Sequence, residues 1–228
     1  MAKDLKEVKK EIVLEWLNAF PQLTLYSQNS FYKEVGPNVL GIELIKLPRT
    51  EEYRPYFVIY PLWKKDIKTC LSVPIILEEY YNKKGLQFSI PYNKHNTYFR
   101  EVLESIKEQT PLSFDEDIPL KKLLSLIDKY SKTPPLSAAP ESYLQAVLKE
   151  AKLEIALSVS TEEAQIVLSQ INAVHWDTKH FKLCGIDLDM WLQGIMGKLN
   201  HRDELLEQIL MNKQDKKISQ LKSSGLIV

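Results

Sequence analysis

Ser131-Lys-Thr-Pro-Pro-Leu-Ser-Ala-Ala-Pro140 holds the last three of the chain's 12 prolines, and none of residues 141–228 is proline. Proline inside a helix removes a hydrogen bond and clashes with the preceding turn, at about 3 kcal/mol. The stretch after Pro140 is therefore free to be helical throughout. Its apolar residues recur at helical spacing, which predicts helices near 140–158, 161–174, 187–199 and 201–222. Ser160 with Glu163 reads as a capping box, and Asp187 and Asn200 are good N-cap types. Before Ser131 the composition is different: 16 of the 22 aromatic residues lie between Trp16 and Phe99. The decade 131–140 thus separates a β-containing, aromatic first part from an all-helical second part. The expected organisation is an α+β domain at 1–133, a proline-rich linker at 134–140 and a helical domain at 141–228.

Working back from the linker, Ile118–Tyr130 and Asn96–Gln109 read as amphipathic helices. So do residues 3–19, where Val8, Ile12, Trp16 and Ala19 share one face until Pro21. Short strands are predicted at Leu23–Tyr26 and Phe31–Val35, with a turn at Gly36-Pro37-Asn38. Val39–Leu47 and Tyr56–Leu62 are the strongest strands, and Pro61 places the end of the second at an edge or bulge. Pro48–Pro55 reads as a loop, Pro74–Lys83 as a helix, and Leu86–Tyr92 as a further strand. The fold class is α+β: an antiparallel sheet of four to five strands packed on helices, followed by an all-helical C-terminal bundle.

Composition restricts the function classes. Thirty basic residues balance 30 acidic ones in a chain of 228 residues. No global field draws the protein to nucleic acid or to an anionic membrane. Only Arg49, Arg54, Arg100 and Arg202 are arginine, the usual fork for phosphates and base edges, although an AT-rich genome gives the same bias. Cys70 and Cys184 are far apart in apolar settings, which is cytosolic usage rather than a disulfide framework. The charged run after Met1 has no signal-peptide core, and no apolar stretch reaches membrane-spanning length. The expectation is a cytoplasmic protein without a membrane or nucleic-acid partner.

Catalytic patterns fail one by one. His175, Asp177, His180 and Cys184 are zinc-ligand types, yet their spacing does not bring all four to one helix face. Trp176 and Phe181 among them suggest a packed corner instead, so no metal is expected. His201-Arg202-Asp203 lacks the context of a kinase catalytic loop. Glu43 and Lys46 fall on opposite faces of a strand, unlike a nuclease pair. Nucleophile elbows, phosphate loops and dinucleotide fingerprints are missing, and with seven glycines few places remain for a backbone to wrap a phosphate. No cofactor is expected.

Two features suggest an interface. Tyr53, Tyr56, Tyr60, Tyr80 and Tyr81 enrich the strand region, and Tyr56 and Tyr60 share a face of one strand. Tyrosine buries area while keeping a polar tip, although a half-buried sheet face would use it too. Tyr92-Asn-Lys-His-Asn-Thr-Tyr98 lies at a strand-to-helix junction, where His95 could act as a base and Asn96 could simply cap the helix. The partner-binding candidates are Tyr56, Tyr60, Tyr80, Tyr81, Tyr92, His95 and Tyr98. The acidic Asp115-Glu116-Asp117 reads as a solvated helix entrance.

One arrangement resembles a known group. A helix ending at Trp16–Phe20, then Phe31-Tyr32-Lys33, Val39–Leu47, Tyr56–Leu62 and a helix is similar, over residues 10–110, to small bacterial domains of unknown function related to toxin-immunity proteins. That resemblance implies a sheet backed by helices that binds and blocks a toxin domain. The leading expectation is a non-catalytic protein that binds another protein, with a toxin as a possible partner. The alternatives are an enzyme with an unfamiliar site near His95 or His175–Cys184, and a structural or oligomer-forming protein.

Overall fold

The computed structural model describes residues 4–228, so the expected helix start at Lys3 lies outside the described residues. Helix α1 (Leu5–Ala19) begins at Asp4, whose carboxylate accepts from the Lys6 amide, and buries Ile12 and Trp16. Four strands follow: β1 (Thr24–Ser27), β2 (Ser30–Val35), β3 (Asn38–Lys46) and β4 (Glu52–Pro61). Gly36 and Pro37 join β2 to β3 as a two-residue loop. Gly36 supplies the positive φ of 54° that its first central position requires. After the short α2 (Ile67–Cys70) come β5 (Ile76–Glu79), β6 (Ile90–Pro91), α3 (His95–Gln109), β7 (Ile118–Pro119) and α4 (Leu120–Tyr130).

The sheet is antiparallel in the order β1-β2-β3-β4-β5, with β6 pairing the start of β4. Prolines at 55 and 61 do not break β4. Leu47 donates to Glu52, which sets the alternation of hydrogen bonds along β3 and β4. By that alternation the missing N–H groups of Pro55 and Pro61 point away from β3. On that side β5 pairs only Tyr56–Ile59 and β6 only Glu52–Tyr53, so neither proline deprives a ladder of a donor.

Three local expectations need correction. Pro74–Lys83 is not a helix: Ile76–Glu79 is the fifth strand. The free side of β4 pairs Val58 with Leu77 and Ile59 with Ile76, and that pairing overrides local propensity. The loop read at Pro48–Pro55 ends early, because β4 already begins at Glu52. Of Leu86–Tyr92 only Ile90–Pro91 pairs as a strand, with Gln87 making a lone bridge to Tyr81.

The second part holds α5 (Tyr143–Val159), α6 (Thr161–Asn172), α7 (Thr178–Leu183), α8 (Leu188–Gly197) and α9 (Arg202–Lys213). Ser142, Ser160, Asp177 and Asp187 cap α5 to α8 as their residue types predict. Asn200 does not cap α9, which follows a 3-10 turn and has no side-chain cap. Arg202 instead reaches back to the last carbonyls of α5, at 2.8 Å from that of Leu157. The helix expected to reach 222 stops at Lys213. Beyond it β8 (Ser223–Ser224) runs parallel to β2, and β9 (Leu226–Ile227) runs parallel to β7. The tail takes the part of the β2 edge that β1 leaves free. The acidic triplet is solvent-exposed as expected, and Asp117 also anchors the tail by accepting from the Gly225 amide at 2.6 Å.

Residues 131–140 lie against α5, where the Gln145 amide donates to the carbonyls of Ser131 and Leu136. One apolar cluster includes Trp16 and Phe57 of the first part and Leu153, Phe181 and Ile209 of the second. Asn212 of α9 donates to the carbonyls of Leu62 and Lys64, tying the last long helix to the exit of β4.

Candidate functional site

Strand alternation assigns the sheet residues to two faces. Tyr53, Phe57 and Ile59 face α1, α3 and the segment before β7: Phe57 lies 6.4 Å from the ring of Phe114, and Lys33 donates to the Phe114 carbonyl. Arg54, Tyr56, Val58 and Tyr60 occupy the other face with Glu43 and Tyr32. The C-terminal elements cover one end of that second face, where Lys213 pairs with Glu34 and Lys217 sits over Tyr26. Its other end stays open along β5, with Leu77 38% and Tyr81 42% exposed.

The seven tyrosine and histidine candidates do not converge. Tyr56, Tyr60 and Tyr81 belong to the partly open face; Tyr92 and His95 lie behind the sheet against α1. Tyr60 is buried and donates to Glu43, which also accepts from Tyr32. Burial, reinforced by that carboxylate, pushes both phenols far up. Tyr80 is buried and bonded to Thr110, and Tyr92 packs 5.3 Å from Tyr53. Tyr60, Tyr80 and Tyr92 are therefore largely part of the core and offer little surface to a partner. Tyr98 is 37% exposed on α3 and stands apart from the open sheet face.

His95 sits in a chain of polar groups that runs from buried Trp16 and Tyr53 to the partly exposed Glu15. Its Nδ1 is 2.6 Å from the Tyr53 hydroxyl, and its Nε2 is 2.9 Å from Glu15 Oε2. Tyr53 receives the indole N–H of Trp16 at 3.3 Å, and burial holds its phenol well above the usual range. Tyr53 thus keeps its proton and donates it to Nδ1, which leaves Nε2 as the protonated nitrogen facing Glu15. The donors run in one direction, Trp16 to Tyr53 to His95 to Glu15. Burial lowers the His95 pKa while Glu15 opposes the shift. His95 is 2% exposed beneath Phe99, whose ring centre is 4.6 Å away. Neither nitrogen is free to take a proton from a substrate. The arrangement joins α1, β4 and α3. Asn96 does not cap α3, whose first residue is His95.

The His175–Cys184 segment is a packed corner. Trp176, Phe181 and Trp191 meet edge to face with centroids 5.4–5.9 Å apart. His180 Nδ1 accepts from the Tyr143 amide and lies 3.8 Å from Cys184 Sγ. Asp177 is engaged as the cap of α7. Among the described residues no group of three or more His, Cys, Asp and Glu is placed to hold a metal ion. None of the described helices is long and apolar enough to cross a membrane.

The open end of the sheet presents an ordered aromatic lining. Gln109 clamps the backbone of Tyr81 on both sides, accepting from its amide at 3.0 Å and donating to its carbonyl at 2.6 Å. The Tyr81 hydroxyl donates to Glu79 at 2.8 Å, and Gln87 donates to the Tyr56 hydroxyl at 2.8 Å while receiving Arg54. Leu77 and Glu79 were missed in the sequence because their segment reads as a helix. The run Ile75-Ile76-Leu77 before two acids was the available strand signal. No protein-family model, curated protein or solved structure matches this chain.

Proposed function

We propose that this protein acts by binding another protein at the uncovered end of its sheet. The observation that carries the reading is the fixed presentation of Tyr56, Leu77 and Tyr81 on a face that the C-terminal elements cover only at the far end. Two aromatics whose hydroxyls are already hydrogen-bonded lose little freedom on docking, which favours affinity. Glu43 and Glu79 face the patch against one guanidinium, Arg54. The partner therefore presents an apolar side chain beside a basic one. The resemblance of residues 10–110 to immunity-type domains supports the narrower reading that the partner is a toxin domain and that covering it is the function.

A photo-crosslinking residue placed at position 77 or 81 in cells tests this. Both positions are expected to capture the same protein, whereas position 147 on α5 is not. Once that protein is purified, Tyr81→Ala and Tyr56→Ala should each weaken its binding by about 30-fold, the loss typical of an aromatic hot spot. Melting temperatures should stay near wild type. Wild-type affinity in both variants, or a partner captured equally at 147, removes the site from this face.

A further inference from the structure

A second region lies in the helical part. A cleft of about 460 Å³ opens between residues 131–141, α5 and the end of α6, and is lined by Lys132, Gln145, Lys149 and His175 among others. Its charges are unevenly satisfied. Lys152, buried in α5, is fully engaged: its ammonium lies 2.7 Å from each oxygen of Asp128 and 3.1 Å from Gln170 Oε1. Half-buried Lys149 lies on the same helix, close enough to feel Lys152 and exposed Lys132, with Asp128 offsetting part of that repulsion. Among the described residues neither Lys149 nor Lys132 has an ion pair or a side-chain hydrogen bond. Glu141 is the acidic side chain that lines the cleft, and it is solvent-exposed.

A partly buried ammonium without an acceptor is costly, because lost hydration is not replaced. Two like charges raise that cost here, and Asp128 offsets part of it. Folded proteins keep such groups where a ligand supplies the missing charge, although long lysines also reach out to water. The local frame is fixed: Gln145 is buried and its amide binds the Ser131 and Leu136 carbonyls, which holds Lys132 and Ser137 beside α5. Ser137 lines the same wall.

We propose that this cleft binds a small phosphorylated molecule, with its phosphate between Lys149 and Lys132 and the rest of it against Pro140, Ala173 and Val174. A phosphate monoester carries close to two negative charges at neutral pH, which suits a wall bearing the ammonium groups of half-buried Lys149 and exposed Lys132. Lysine contacts phosphate as a point charge and needs no forked geometry, consistent with a site that contains no arginine. The cleft exceeds the volume of a bare phosphate, so the ligand carries an organic portion.

Calorimetric titration of the full chain with inorganic phosphate and with glycerol phosphate, at ionic strength held constant with sodium chloride, tests the assignment. One saturable site is expected, with glycerol phosphate bound more tightly. Lys149→Met should weaken it at least tenfold without lowering the melting temperature, since the change removes an unpaired cation. Glu141→Gln should strengthen binding by removing the carboxylate at the mouth. Lys83→Met, far from the cleft in sequence and exposed, should bind as wild type. Absence of saturable heat, equal binding by Lys149→Met, or acetate binding as tightly as phosphate would each overturn the proposal.

Discussion

His95 shows how one residue type takes opposite roles in different surroundings. Next to a free carboxylate at a surface, imidazole is a proton acceptor near neutrality. Here both nitrogens are already bonded, and burial keeps the native ring below its ordinary pKa. The unfolded chain then accepts a proton that the native state refuses as the pH falls through about 6.5. The corresponding stability is present above that pH and lost on descending toward the lower native pKa. Its slope is limited to about 1.4 kcal/mol per pH unit for one proton. Between about pH 7 and about pH 5.5, urea unfolding should show a larger loss for wild type than for His95→Asn. Equal losses in the two would mean that His95 titrates alike in both states. Tyr53→Phe should destabilise by about 1–3 kcal/mol at neutral pH, because it leaves the Trp16 indole and His95 Nδ1 without partners. The importance of Tyr53 was hard to read in the sequence, since it sits among the polar residues after Pro48. Its spacing of four from Phe57 was the usable sign that both share a strand face.

At the scale of elements, the disagreements between sequence and structure share a cause. Ile76–Glu79 and Ser223–Ser224 are too short to declare themselves, and each becomes a strand because an existing strand offers unpaired backbone groups. The helical spacing of 201–222 fails beyond Lys213 for the same reason: the tail finds partners on β2 and β7. Deleting residues 223–228 should therefore cost about 2 kcal/mol, from the loss of the Leu226 contacts and the paired amides. It should also speed hydrogen exchange at the Ile118 amide, which donates to Gly225. Wild-type exchange at Ile118 in the truncated chain would show that β9 contributes nothing to its protection. The longer helices were legible from apolar residues recurring at helical spacing, helped in α1, α5 and α6 by a capping side chain. The strands at 30–35, 38–46 and 52–61 were legible from their β-branched and aromatic content, apart from the early start of β4.

For the molecule as a whole, the proline-rich decade marks where composition changes, while the apolar cluster continues past it. Asn212, Lys213 and the tail bind the first part directly. Thermal unfolding followed by near-ultraviolet and far-ultraviolet circular dichroism should thus give coincident transitions, since the two parts share buried contacts. Two separated transitions would instead mark 1–133 and 141–228 as independent units. The same packing decides the candidate surface. Covering one end of the sheet removes Tyr60 from contention, and leaving the other end bare retains Tyr56 and Tyr81.

Composition and periodicity alone determined the class of this protein: an aromatic antiparallel sheet backed by helices, then a proline-free helical run. Those properties depend on interactions within a few turns or one strand, where proline geometry, capping and side-chain alternation act locally. Only the tertiary structure decided which tyrosines are buried, which end of the sheet is open, and which lysines lack a partner. These depend on contacts between residues far apart in sequence, such as Glu34 with Lys213 or Lys152 with Asp128. Side chains of one chemical type thus acquire different roles according to what a distant segment places against them.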